Sequence, residues 1–498
     1  MHQGNLTSGE DSTQHSGVQF KKELTLLDST MIVVGSMVGS GIFIVSSDIA
    51  RTVGCGGYLM LVWLITGMVT VIAALSYGEL AGMMPHVGGQ YAYLREAYNP
   101  LVGFLYGWTL FLVIQTGTIA AVAVAFAKFT AVLIPSMGES NILLSLFGLK
   151  ISAAQILAIV SVIVLTFVNT RGLREGKIVQ DIFTITKVIA VIGLIFLGIF
   201  VGRNSAAISA NFANFWSGTW THLTDGKIDL IEPLSGGLIL AAMGAAMVGS
   251  LFSSDAWNNI TFTAGEVVNP KRNIPLSLFL GTLIVTVLYL LANFAYILVL
   301  PVVGSQAGSD VLSRGIQFAA DNRVGTAAAE MIFGAPAATI MAVLIMISTF
   351  GCNNGLILAG ARVYYAMARD NVFFRSAGTL NTKAVPGAAL VVQGVWASLL
   401  CLSGTYGDLL DYVVFAVLIF YILTIAGLFI LRKKRPDAER PYKAFGYPVV
   451  PALYIFVAAA ISIDLLIFKP KYTVSGMIIV LLGIPVYFLW KKLVRRPA

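Results

Sequence analysis

Charge is scarce in this chain: only 11% of its 498 residues are Asp, Glu, Lys or Arg. A soluble domain carries about 25%. Apolar residues make up 57%, and mean hydropathy is +0.84. Almost nothing is left to surface a soluble domain, so the composition is that of a polytopic membrane protein. Histidine is rare as well, at four, and forms no cluster. The three cysteines, Cys55, Cys352 and Cys401, have no metal-ligand spacing, and an odd, scattered set gives no disulfide framework. No nucleophile–base pair, metal motif or phosphate loop is present, which argues against an enzyme; neither a metal nor a cofactor is expected. Residues 1–20 are polar and rich in Ser, Gly, Thr and Gln. They cannot form a core and are expected to be disordered. They also lack the apolar run of a cleavable signal peptide.

What is abundant is apolar sequence in blocks of about 20 residues, the length that crosses a bilayer as a helix. Twelve spans are expected, near 30–52, 58–83, 101–134, 153–170, 178–202, 233–265, 276–300, 327–368, 385–404, 409–431, 448–468 and 473–490. The third, sixth and eighth are too long for simple spans. Placing the N-terminus and the even-numbered loops on one side gives that side 22 of the 32 Lys and Arg. The other side holds 8, and Lys128 and Lys187 lie within spans. Lys and Arg collect on the cytoplasmic side, so both termini are expected there. The net charge of +8 follows from this bias and does not require nucleic acid as a partner.

The first span is interrupted. No charge lies between Asp28 and Asp48, yet Gly39-Ser40-Gly41 stands near the middle, followed by Ile42-Phe43. Glycine weakens a helix by roughly 1 kcal/mol per residue. Backbone freed at membrane depth is tolerated only where protein or a cavity satisfies it. Alternatively, Gly35-Ser36-Met37-Val38-Gly39 fits GxxxG, a close-packing motif. The sixth span, Pro233 to Gly265, would be roughly 50 Å long as one helix. Its run from Gly249 to Asn259 is small and polar and holds Asp255. Two interruptions five spans apart match a transporter built from two five-helix inverted repeats, with the site at the breaks. At such a break the following half-helix offers N–H groups and partial positive charge to a carboxylate. The preceding half-helix offers carbonyls to an ammonium. The pair suits a zwitterionic α-amino acid, with Ile42, Phe43, Phe252 and Trp257 to enclose a side chain.

Several segments resemble the amino acid–polyamine–organocation superfamily, and most closely its L-type amino acid transporter branch. They are Gly39-Ser40-Gly41-Ile42-Phe43; Ser76-Tyr77-Gly78-Glu79-Leu80 with Gly88-Gly89-Gln90-Tyr91-Ala92-Tyr93; and Trp257-Asn258 with Gly265-Glu266-Val267-Val268-Asn269-Pro270-Lys271-Arg272. Asn354-Gly355 with Ala361-Arg362, and Arg440-Pro441-Tyr442-Lys443 before Tyr447-Pro448, complete the set in the family's order. The likeness runs from about residue 24 to the last span. It implies an all-α membrane protein of twelve transmembrane helices, a LeuT-type 5+5 inverted repeat with helices 1 and 6 discontinuous. The segments would be residues 1–22, a cytoplasmic N-terminus; 23–204, the first repeat; 205–232, an extracellular connector; 233–431, the second repeat; and 432–498, helices 11–12 and the C-terminus. The implied activity is secondary transport of L-amino acids across the cell membrane by alternating access. Exchange is expected, with proton-coupled symport as the alternative.

The resemblance also implies site residues. The substrate carboxylate would meet N–H groups around Gly39, Ser40, Gly41 and Ile42. The α-amino group would face carbonyls at Met37 and at Phe252, Ser253, Ser254 and Asp255. Phe252 and Trp257 would form the gate. Lys187, a cation near mid-membrane, is a functional residue by default; it would couple transport or tether helices. Asp255 departs from the Gly of many large-neutral transporters. It would pair with a cationic side chain, bind the α-amino group, cap the half-helix or pair with Lys187. Animal relatives join a heavy chain through a cysteine between helices three and four. Residues 135–152 have none, so no disulfide-linked partner is expected, and the protein would act as a monomer or weak homo-oligomer.

Overall fold

A computed structural model describes residues 20–146, 149–224, 226–403, 406–468 and 470–494. The N-terminal segment expected to be disordered thus lies outside the described residues except for its end. The chain enters through α1 (Leu26–Met37), started by a capping box in which Thr25 and Asp28 bond each other's backbone. It continues through α2 (Gly41–Ile44), α3 (Ser46–Val53) and α4 (Gly56–Met83). A short α5 (Gln90–Ala97) leads to α6 (Pro100–Thr109), which Asn99 caps and Pro100 opens. A π-turn at Leu110–Ile114 joins α6 to α7 (Gln115–Leu133). The hairpin of β1 (Ile142–Leu146) and β2 (Leu149–Ser152) precedes α8 (Ala153–Thr170) and α9 (Leu173–Phe200). Then come α10 (Ser205–Ala213) and the antiparallel pair β3 (Thr219–Thr224) and β4 (Lys227–Pro233).

The second half repeats the theme of interrupted helices. α11 (Gly237–Ser253) and α12 (Asn259–Phe262) are separated by a break, and α13 (Pro270–Val299) follows. A long connection carries α14 (Val311–Arg314) and α15 (Val324–Phe333). It ends at α16 (Ala335–Arg369), α17 (Gly387–Leu400), α18 (Tyr406–Lys434), α19 (Val449–Phe468) and α20 (Pro470–Val494). Among the described residues ten helices are long and apolar enough to cross a membrane, against twelve spans expected. The expected sixth and ninth spans contain the shorter apolar helices α11 and α17. The overlong eighth span divides at Gly334, whose φ of +81 ends α15 before Pro336 sets the first turn of α16.

The bundle is inside out relative to a soluble protein. Large apolar side chains such as Ile163, Phe196, Phe456 and Leu489 are exposed on the outer helices, while Glu79, Gln115, Lys187, Asn354 and Arg362 are buried. That is the arrangement a lipid surround selects. α1 lies at the centre, packed on α9, α13 and α16.

One end of the bundle is tied by ions. Glu79, fully buried, accepts from Arg432 at 2.9 and 2.6 Å and from the Ala444 N–H at 2.7 Å. Arg440 lies 3.2 Å away, and Arg432 stacks 3.6 Å over the Tyr447 ring. The 435–448 loop is thereby pinned across α4. Removing one partner of a buried pair costs about 3–5 kcal/mol. Glu79→Ala should therefore lower the melting temperature of the protein in detergent, with Glu79→Gln falling between it and the parent. An unchanged melting temperature in Glu79→Ala would contradict this account of the loop.

Candidate functional site

The first break is a stretch of carbonyls without a helix to use them. α1 stops at Met37, Val38 leaves helical geometry at ψ 88, and the Gly39 N–H turns back onto the Met37 carbonyl at 2.9 Å. Side chains from three other helices then cap the exposed oxygens. Lys187 of α9, fully buried, donates to the Gly35 carbonyl and to Val38 at 2.8 Å. From α16, Ser348 bonds the Val38 or Gly39 carbonyl at 3.2 Å, and Cys352 the Ser36 carbonyl at 3.0 Å. From α13, the Tyr289 hydroxyl lies 2.9 Å from the Met37 carbonyl. A cation at a helix C-terminus also offsets its partial negative charge. Across the gap, Gly41 and Ile42 open α2, so their N–H groups have no carbonyl of their own helix to meet. Ser40 stands at the cap, buried, with no side-chain capping bond.

The second break touches the first. α11 ends at Ser253, and Ala256 takes φ +64 before α12 begins at Asn259. A Cβ on Gly41 would lie 2.0 Å from Ser253 Oγ and 3.0 Å from Ser253 Cα. Only glycine allows this approach. The Tyr289 hydroxyl, already at Met37, is also 3.0 Å from the Ser253 carbonyl. A hydroxyl has one proton, so it serves one of the two carbonyls at a time. The geometry thus presents two carbonyls, one per break, opposite the opening turn of α2. Together they are complementary to an ammonium and a carboxylate on one small molecule.

The residues expected from sequence divide into two groups. Met37, Gly39, Ser40, Gly41, Ile42, Ser253 and Ser254 all lie at the two breaks and are buried. Phe252 is buried at the end of α11, and Trp257 lies in an aromatic cluster, 4.8 Å from Tyr77 and 5.1 Å from Tyr421 by ring centroids. Asp255 and Lys187 are not partners. Asp255 accepts from the Tyr421 hydroxyl at 2.5 Å, while Lys187 points to α1. Two small spaces of about 10 and 20 Å³ meet at Asp255 and Tyr421. Each has room for about one water. The first is lined by Gln90, Tyr106, Gln115, Asn258 and Asn259. In that lining the Tyr106 hydroxyl and Asn259 Nδ2 are buried without a hydrogen-bond partner. Gln90 and Asn258 lie in segments that carry the resemblance, whereas Tyr289, Tyr421, Ser348, Cys352, Gln115 and Asn259 escape a reading by motif. Their one signal is polarity inside otherwise apolar helices.

The site is covered at both ends. At one, Glu266 and Arg362 form a bidentate pair at 3.0 and 2.9 Å, each 1% exposed. The Glu266 carbonyl accepts the N–H groups of Glu23 and Leu24 at 2.9 Å, tying the entry of α1 to the exit of α12. At the other end the cover is hydrogen-bonded. Arg51 donates to the Gln317 carbonyl at 2.6 Å and to Asn322 at 2.9 Å, and Gly325 packs directly on Phe43.

The chain is similar to known proteins over nearly its whole length. A family model described as amino acid permease matches residues 24–489. The large neutral amino acids transporter small subunit 2 of Mus musculus is 30% identical over 492 residues, 98% of this chain and 85% of that protein. The b(0,+)-type amino acid transporter 1 of Mus musculus is 27% identical over 98% of this chain and 93% of its own length. The serine/threonine exchanger SteT of Bacillus subtilis (strain 168) is 28% identical over 96% of this chain and 99% of its own.

The contact of the two breaks is testable. Gly41→Ala should abolish substrate binding without loss of expression, because the added methyl meets Ser253. Ser253→Gly in the same chain removes the nearest atoms and should restore part of the binding, read by equilibrium dialysis. Full binding by Gly41→Ala alone would contradict the geometry.

Proposed function

The chain belongs to the amino acid permease family, and from that premise we propose that it exchanges L-amino acids across a cell membrane by alternating access. The observation that carries this reading is the meeting of the two breaks, where Gly41 abuts Ser253 and one hydroxyl, Tyr289, bridges a carbonyl from each. In operation the substrate carboxylate takes the N–H groups of Ser40, Gly41 and Ile42. Its ammonium displaces the Tyr289 proton from Met37 and Ser253 and joins their two carbonyls. Phe252 and Trp257 gate the site. The reading is that of a transporter, not an enzyme.

The finer architecture in this reading is twelve crossings, the ten long helices together with α11 and α17. Both termini are cytoplasmic, supported by the Lys and Arg bias between the two sides. The five-plus-five repeat is supported by breaks five spans apart. Substrates are neutral amino acids and, through Asp255, cationic ones. Asp255 accepts from the Tyr421 hydroxyl and sits among carboxamides. The chain works without a disulfide-linked heavy subunit: its three cysteines are all buried. A second reading, proton-coupled symport, is favoured by one observation, the fully buried Lys187 whose ammonium is held by backbone carbonyls of α1.

Proteoliposomes separate the two. Exchange requires that labelled L-alanine enter only vesicles preloaded with amino acid, at a rate a proton gradient does not change. Accumulation in empty vesicles driven by an inward proton gradient would replace exchange with symport. For the side chain, L-arginine should compete with labelled alanine. Asp255→Asn should weaken that competition at least about tenfold, since a hydrogen bond to a charged group is worth about 1.5–3 kcal/mol. Arginine that never competes, or competes equally in the variant, would remove Asp255 from cation recognition.

A further inference from the structure

A cavity of about 690 Å³ lies beside α15, at the end of the bundle away from the Glu266–Arg362 pair. That is within the size range of small-molecule pockets. Its walls come from the end of α7 at Val132, the segment around α14, the outer face of α15 and the first turn of α16. At 3.6 residues per turn, Thr326, Ala327, Glu330 and Met331 centre on the side of α15 opposite Gly325, the residue that rests on Phe43. The cavity therefore does not belong to the site at the breaks; α15 stands between them.

Its polar groups are of both signs and incompletely used. Thr326, 7% exposed, is one of the lining residues, and its hydroxyl is buried behind that surface. Glu330, one turn further along α15, has no ion-pair partner among the described residues. Arg314 spends its Nε on the Gly308 carbonyl at 2.8 Å. Arg323 reaches the Lys128 carbonyl and Asp321 at 3.3 and 2.8 Å. A guanidinium has five N–H donors, so both arginines retain donors for an anion.

We propose that this cavity is a second binding site for a zwitterion, whose ammonium is held by Glu330 and whose anionic group is held by Arg314 and Arg323. Two sources share that chemistry: a free amino acid from the aqueous face, and the headgroup of an ethanolamine lipid. Either would brace α15 against Phe43 and favour the covered state of that end, through linkage between ligand and conformation. The proposal stands apart from the exchange reading, because no residue is common to the two sites.

The test uses Ala335→Cys, at a residue that lines the cavity and is exposed, in a chain whose own cysteines are buried. The full-length protein is placed in phosphatidylglycerol nanodiscs, which carry no ammonium, and the rate of maleimide alkylation is measured. With a free amino acid as ligand, L-alanine slows alkylation by 1 + [L]/Kd, about tenfold at roughly nine times Kd. With a headgroup as ligand, exchanging in phosphatidylethanolamine slows it with no amino acid added. In either case Glu330→Gln and Arg314→Gln each remove the protection, and Gly41→Ala, which disables the site at the breaks, retains it. The proposal is overturned if neither alanine nor the ethanolamine lipid slows alkylation. It is also overturned if Glu330→Gln remains protected, or if protection disappears in Gly41→Ala.

Discussion

Carbonyls freed from helical pairing at membrane depth have no water to turn to, and five in succession, Gly35 to Gly39, pose that problem here. Each has a side-chain donor in reach: Lys187, Cys352, Tyr289 and Ser348 serve them from α9, α16 and α13. An unsatisfied buried polar group costs about 1–3 kcal/mol, so the break is tenable only with these helices in place around it. That requirement explains why α1 is central and why a lysine is buried in an apolar helix. It also explains why a cysteine sits in α16 without any redox or metal role being needed for it.

The same constraint yields selectivity. Four of the five carbonyls are committed to side chains that cannot leave without breaking the scaffold. Met37 differs, because beside the Gly39 N–H its one side-chain donor is a hydroxyl shared with Ser253 of the other break. An ammonium carries three donors and can satisfy both carbonyls at once. In the proposed exchange, recognition of the amino acid backbone is built from main-chain groups, which no side-chain substitution removes. The same proposal delegates discrimination between side chains to Asp255, Tyr421 and the carboxamides nearby. The two ends are closed by different physics. One uses a buried bidentate ion pair between Glu266 and Arg362, and the other uses hydrogen bonds from α3 to the 317–322 segment and the packing of α15 on Phe43.

Much of this was legible in the sequence, for identifiable reasons. Gly39-Ser40-Gly41 and the small, polar run before Asn259 marked both breaks, because helix propensity is local. Glu79 and Glu266 stand in segments that carry the family resemblance. Pairings across the bundle were not readable. Sequence left the pairing of Asp255 and Lys187 open; the fold sends one to Tyr421 and the other to α1. Tyr289 has no motif around it, since its importance comes from where α13 crosses α1. Gly334 gave no clear warning that the long eighth span divides, because only its positive φ reveals the stop. The short α17 shows that an apolar stretch can be longer than the helix it forms.

The central claim is that the Met37 and Ser253 carbonyls select for an ammonium. The most direct measurement compares an amino acid that the protein carries with its 2-hydroxy acid, which keeps the carboxylate and side chain but replaces the ammonium with a hydroxyl. Both are tested as competitors of labelled substrate in preloaded proteoliposomes. The account predicts that the hydroxy acid competes at least about a hundredfold more weakly, the equivalent of roughly 3 kcal/mol for charge-assisted hydrogen bonding. Equal competition by the two would contradict it.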